Sequence, residues 1–214
     1  MKILNIVILV GSLLVFGCGD KQDASKQAED KSKDSEKISA KAVDISKLQV
    51  RGNLAYLPNE KKPYTGWIKK LYDGSEQIEG LIEFKKGEPS EILLWYPNGS
   101  PWFVAPLNTG SEAAEVDLNE VISEAKTSDL LDATSALESR ANGTLIKYFE
   151  NGKKEWKVSY VDGKMHGTSI EYREDGSKEG ESVYENGEFI SSKEWDEDGN
   201  LVDPSTESDF EKSE

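Results

Sequence analysis

The 214 residues carry 41 acidic and 26 basic side chains, a formal net charge of −15, and the excess acid lies late in the chain: residues 48–106 are balanced, while 107–140 and 141–214 are acidic. An acidic surface repels phosphates, whose neutralisation supplies most nucleic-acid affinity, so a nucleic-acid partner is excluded. One histidine and one cysteine leave no material for Cys/His zinc sites, Cys/His nucleophilic pairs or disulfides.

The chain opens with Met1-Lys2 and an almost unbroken apolar run over residues 3–16 that ends in Gly17-Cys18. A membrane span needs about 20 apolar residues. This shorter run has the charged start and apolar stretch of a secretory signal. Its end, Leu14-Val15-Phe16-Gly17-Cys18, resembles a bacterial lipobox, in which a small residue precedes a cysteine that is lipidated and becomes the new N-terminus. The resemblance implies removal of residues 1–17, lipidation of Cys18, and anchoring to a membrane on the extracytoplasmic side of the cell envelope. An uncleaved anchor, or an ordinary secretory signal with an incidental cysteine, are the alternatives. Several acyl chains hold firmly where one binds marginally, each buried methylene contributing roughly 0.8 kcal/mol.

Residues 18–47 are rich in Lys, Asp, Glu, Ser, Gln and Ala. Such a segment buries too little apolar surface to offset its ordering entropy, so the composition predicts a flexible tether, or at most a short solvated helix. From residue 48 to 106 a rhythm begins: Tyr72, Phe84 and Tyr96 recur every 12 residues, followed by Asp73-Gly74, Lys85-Lys86-Gly87 and Pro97-Asn98-Gly99. Upstream, Leu54-Ala55-Tyr56-Leu57-Pro58-Asn59 and Pro63-Tyr64-Thr65-Gly66-Trp67 read as an irregular first hairpin, since terminal repeats cap an array and are often atypical.

Residues 107–142 change character, and 111–140 hold neither Gly nor Pro. Asp117 and Glu120 have capping-box spacing ahead of Leu118, Val121, Ile122 and Ala125 at helical intervals. A second helix is expected from about Asp129, with Leu130, Ala133 and Leu137 on one side. The segment reads as a helical insert joining two repeat blocks, its apolar stripe covering one face or end of a sheet.

In the second block, residues 143–202, Tyr148, Tyr160, Tyr172, Tyr184 and Trp195 precede Gly152, Gly163, Gly176, Gly187 and Gly199 by four, three, four, three and four residues. The alternation makes the repeat about 24 residues, each holding two turn-bounded segments. Asn-Gly and Asp-Gly between alternating segments signal hairpins. Strands are therefore expected over 144–149, 154–160, 168–173, 178–184 and 189–195. Period-two alternation places Ile146, Tyr148, Trp156, Val158, Tyr160, Ile170 and Tyr172 on one face as a ladder, each cross-strand pair contributing roughly 0.2–1 kcal/mol. That stripe reads first as core and second as a ligand surface. His166, between Gly163 and Gly167, reads as a turn or packing residue. Asp196-Glu197-Asp198-Gly199-Asn200 resembles a calcium loop but lacks its remaining ligands and closing Glu, so a charged hairpin turn is expected and no metal. Residues 203–214 form a polar, acidic tail, expected to be frayed.

The pattern of Gly143, Tyr148, Asn151-Gly152-Lys153, Tyr160 and Asp162 through Gly167 resembles the MORN repeat, in a variant found in bacterial YwqK-like antitoxin proteins. Leu57-Pro58-Asn59, Pro63 through Trp67 and Trp95 through Gly99 look like the N-terminal part of such proteins. The resemblance covers residues 50–101 and 143–200. It implies a mainly β fold, an antiparallel meander of hairpin repeats in two blocks, used as a scaffold for protein or lipid contacts with no shared active site. The resulting expectation is a non-enzymatic, lipid-anchored binding module without cofactor, whose partner is an unknown protein or a glycan. Its candidate contact residues are Tyr72, Tyr96, Tyr148, Trp156, Tyr160, Tyr172, Tyr184 and Trp195. An antitoxin acting by direct toxin binding is the alternative, and a carboxylate-based hydrolase the third reading.

Overall fold

Two kinds of turn alternate along the chain and fold it into a meander. Lys86-Gly87, Asp162-Gly163 and Asn186-Gly187 have positive φ at both residues, the two-residue geometry whose twist matches that of flanking strands. Between them come longer turns in which Asn98, Asn151, Asp175 and Asp196 accept a backbone N–H from Ser100, Lys153, Ser177 and Asn200 at 2.7–2.9 Å. The three- and four-residue glycine offsets of the second block thus mark opposite ends of one sheet.

The computed structural model describes residues 34–110, 116–127, 130 and 136–202. The expected signal segment, Cys18, the first part of the tether and the tail from 203 lie outside the described residues. The strands are β1 (Val43–Asp44), β2 (Gln49–Arg51), β3 (Leu54–Tyr56), β4 (Gly66–Leu71), β5 (Ile78–Lys85), β6 (Glu88–Trp95), β7 (Pro101–Pro106), β8 (Gly143–Tyr148), β9 (Lys154–Val161), β10 (Lys164–Met165), β11 (Gly167–Tyr172), β12 (Lys178–Glu185) and β13 (Glu188–Glu194). The helices are α1 (Ser35–Ser39) and α2 (Leu118–Thr127). The protein is mainly β, as the turn pattern predicts. The five strands expected in the second block coincide with β8, β9, β11, β12 and β13 to within a residue at each end.

One 11-stranded sheet runs β1-β4-β5-β6-β7-β8-β9-β11-β12-β13, with β10 on β9; β2 and β3 form a separate hairpin. All neighbours are antiparallel except β1 and β4. The two blocks are continuous, because β7 pairs with β8 through Phe103↔Lys147 and Val104↔Ile146. The insert therefore stands where the other hairpins of that sheet end have a two-residue turn.

The front face carries Ile82, Ile92, Phe103, Ala105, Leu145 and Val158, packed with Leu118, Val121, Ile122 and Ala125 of α2. The back face carries Leu81, Leu93, Val104, Ile146 and Tyr148. This separation corrects the expected ladder. Leu145 pairs with Val158 and Lys147 with Trp156, whereas Ile146 pairs with Lys157, as does Ile170. Ile146, Tyr148 and Ile170 thus lie behind the sheet, while Trp156, Val158 and Tyr160 lie in front. Hairpin register decides the face, and a constant sequence interval does not specify register.

Asn53, in the β2–β3 turn, holds the start of α2: its side chain accepts the Leu118 N–H at 2.7 Å and donates to the Val116 carbonyl at 2.8 Å. Asp117 accepts from the Asn119 N–H at 2.9 Å. Of the second expected helix, Leu130 and Leu137 are buried, a 3₁₀ turn spans Ala136–Arg140, and Asp129 and Ala133 lie outside the described residues. The tether expected to reach residue 47 differs from 35 onward. Ser35 through Lys47 form α1, β1 and a 3₁₀ turn, wrapping the β4 edge: Ile38 packs on the back core while Ile45 and Leu48 are buried in the front one. Averaging over a charge-rich segment concealed these few aliphatic anchors.

Candidate functional site: the open half of the front face

Cross-strand register assembles two rows on the front of β11, β12 and β13. Ser169, Ser182 and Ser192 form one, and Glu171, Gly180 and Glu194 the other. These six residues line a trough of about 420 Å³. Tyr184 and Phe189 meet edge to face at 5.8 Å, with Phe189 57 % exposed. Arg173, Glu179 and Trp195 join the lining where the longer turns lie, and Glu181, Lys193 and Val202 also border it. Arg173 is occupied: Nη1 donates to the Lys178 carbonyl at 2.9 Å, Nη2 to the Trp195 carbonyl, and Glu179 lies 3.9 Å away.

The trough has a filled counterpart one hundred residues earlier. Glu79, Gly80, Gly87, Glu88, Trp95 and Gly99 correspond to Glu179, Gly180, Gly187, Glu188, Trp195 and Gly199. Pairing agrees, since Gly80 lies between Lys70 and Leu94, and Gly180 between Glu171 and Glu194. In the first block Leu130 sits on the glycine: a Cβ on Gly80 would stand 2.3 Å from Leu130 Cδ2 and 2.7 Å from Leu94 Cδ2. The Leu130 N–H donates to Glu79 Oε1 at 2.6 Å, and Lys70 Nζ lies 3.0 Å from Glu79 Oε2. A Cβ on Gly180 would meet only Glu171, at 3.6 Å.

The eight aromatic candidates do not form one surface. Tyr72 donates its hydroxyl to the Trp95 carbonyl at 2.6 Å and Tyr96 to that of Tyr148 at 2.9 Å. Both bonds tie one hairpin to the next. Tyr96 also stacks on Trp102 at 5.2 Å, and burial pushes its phenol pKa up, with Glu155 and Glu150 adding to the effect. Tyr148 is buried, Trp156 meets Phe103 edge-on at 6.0 Å, Tyr160 packs on the front core, and Tyr172 is half-buried. Of the eight, Trp195 alone borders the trough, with Lys178 Nζ 4.5 Å above its ring, and Tyr184 touches it only through Phe189. Sequence reasoning missed Phe189, Glu171, Gly180 and Glu194; the hundred-residue correspondence is the signal that points to them.

His166 Nδ1 accepts from the Asn186 N–H at 3.4 Å, joining two turns. Asp196 accepts from the Asn200 backbone and side-chain amides at 2.7 and 3.1 Å, so the segment resembling a calcium loop closes on itself. Those bonds, the backbone one first, hold the Asp196 carboxyl below its usual range; the Ser177 hydroxyl and N–H do the same for Asp175. Among the described residues no group of three or more His, Cys, Asp or Glu is placed to hold a metal, and no helix is long and apolar enough to cross a membrane.

The fold and this face define a class, a β-hairpin protein built on one large sheet with one covered and one open half. No family model matches the chain, and no curated protein matches it.

Proposed function

We propose that the chain is a non-enzymatic, lipid-anchored protein of the bacterial cell envelope whose MORN-like sheet is a binding scaffold for another protein. One observation carries the binding part. The first block closes its front face with the chain's own insert, whereas the second block, built on the same hairpin plan, leaves a trough of about 420 Å³ open beside the exposed Phe189. Exposed apolar side chains beside polar groups favour protein contacts. The anchoring part rests on Leu14-Val15-Phe16-Gly17-Cys18. Residues 18–33 would then be the spacer between lipid and sheet.

Fatty-acid labelling in the native host with membrane fractionation, comparing wild type with Cys18→Ser, tests the anchor. Label and membrane retention on the wild type, both lost in Cys18→Ser, are expected. An unlabelled, soluble, full-length wild type overturns the localisation.

A further inference from the structure

The filled and open glycine seats differ in their walls, and the difference specifies an occupant. Leu130 is held over Gly80 because a residue without a side chain leaves room for it, Leu94 gives it an apolar wall, and Glu79 takes its N–H. Over Gly180 a Cβ would meet only Glu171, at 3.6 Å, but Lys70 has become Glu171 and Leu94 has become Glu194. A leucine there would strip water from two carboxylates and give nothing back. Arg173 is engaged by two carbonyls and Glu179, and Lys193, which also borders the trough, registers with Glu181 and acts on that carboxylate. Among the described residues neither Glu171 nor Glu194 has an ion-pair partner.

We propose that the Gly180 seat receives a lysine or arginine side chain from a segment of a partner protein, its aliphatic stem lying on Gly180 and its charged end between Glu171 and Glu194. Long cationic side chains bury their methylenes on apolar or bare backbone while keeping the head among polar groups. The serine row, Ser169, Ser182 and Ser192, lies next to the seat and offers hydroxyls to the partner's main chain. The inference deepens the binding-scaffold reading and rests on it.

The test uses the full-length ¹⁵N-labelled chain in detergent, at about 0.15 M salt to screen long-range attraction. It is titrated with the capped pentapeptide Ala-Ala-Lys-Ala-Ala and with its norleucine analogue, which keeps the stem and removes the charge. The lysine peptide should move the amide resonances of Gly180, Ser169, Ser182 and Ser192, and the norleucine peptide should bind about five-fold more weakly or not at all. Glu171→Gln with Glu194→Gln should weaken the lysine peptide by about five-fold. Gly180→Leu, whose Cβ meets nothing closer than 3.6 Å, places a side chain of its own at the seat and should abolish the response. Equal response to both peptides, shifts confined to the acidic turns at Asp175 and Asp196, or an undiminished response in Gly180→Leu each overturns the seat. If the seat fails while Cys18 still carries label and the chain stays with the membrane, the envelope reading survives and only this inference falls.

Discussion

Gly80 and Gly180 occupy one position in two hairpins, yet a methyl group has opposite consequences at each. At Gly80 it would overlap Leu130 and Leu94, forcing the insert's leucine off its seat. Overpacking of this kind costs about 1–3 kcal/mol. Gly80→Ala should lower the urea midpoint accordingly, while Gly180→Ala, facing only the Glu171 side chain, should stay within about 0.5 kcal/mol of wild type. Equal losses would mean that Leu130 is not seated as described. The turn aspartates add a pH dependence. The carboxyls of Asp175 and Asp196 titrate lower in the folded chain than in the unfolded one, because each accepts turn hydrogen bonds. Their contribution is thus present above the ordinary carboxylate range and is lost as pH falls through the lowered values. Asp175→Asn with Asp196→Asn keeps an acceptor oxygen that does not titrate. Its thermal midpoint by circular dichroism should fall less than that of wild type between about pH 7 and about pH 3. Parallel curves would place the acid sensitivity elsewhere.

Among the elements, α2 and the N-terminal wrap do what a β-meander cannot do for itself, which is to cover a face and an edge. Leu118, Val121, Ile122 and Ala125 are all buried, and Lys126 Nζ reaches the Leu48 carbonyl at 2.7 Å, so helix and wrap support one another. An unpaired edge strand invites association with another chain. At β4 that edge is occupied by β1 and flanked by α1, whose Ser39 carbonyl accepts from Lys69 at 3.1 Å. Ile45 and Leu48 are 5 % and 1 % exposed. Burying two such side chains contributes roughly 3–6 kcal/mol, an upper estimate because the unfolded chain already hides some surface. A chain beginning at residue 49 should therefore lose much of that stability to chemical denaturation relative to one beginning at residue 34. Indistinguishable denaturation curves would mean that residues 34–48 behave as a tether after all.

At the scale of the whole molecule, the meander was legible because turn chemistry is local: Asp162-Gly163 and Asn186-Gly187 announce their geometry in two residues. What depended on pairing was not legible. Register pairs such as Ile146↔Lys157 and Lys147↔Trp156 set the faces, and the two rows on the trough's floor come from three strands that only register brings together. The wrap was hidden for another reason, since Ile38, Ile45 and Leu48 are few among many charges. Continuity across the insert was equally invisible, and it makes a prediction. The blocks meet through two register pairs of β7 and β8, continued by the Leu107↔Ala141 bridge and the Asn142 N–H on the Pro106 carbonyl at 3.0 Å, and through the Tyr96 hydroxyl on the Tyr148 carbonyl and Asn98 Nδ2 on the Glu150 carbonyl at 3.3 Å. Tyr72 makes the same kind of bond within the first block, to Trp95. Removing either hydroxyl should cost about 0.5–1.5 kcal/mol. In an array whose stability is a sum of neighbour terms, a loss inside a block lowers that block, whereas a loss at the junction uncouples two blocks. Tyr72→Phe should therefore shift a single calorimetric transition. Tyr96→Phe should broaden it, with the van't Hoff enthalpy falling below the calorimetric one. A sharp, merely shifted transition in Tyr96→Phe would assign the coupling to the β7–β8 ladder and the shared front core, where Phe103 and Val158 already pack in one cluster.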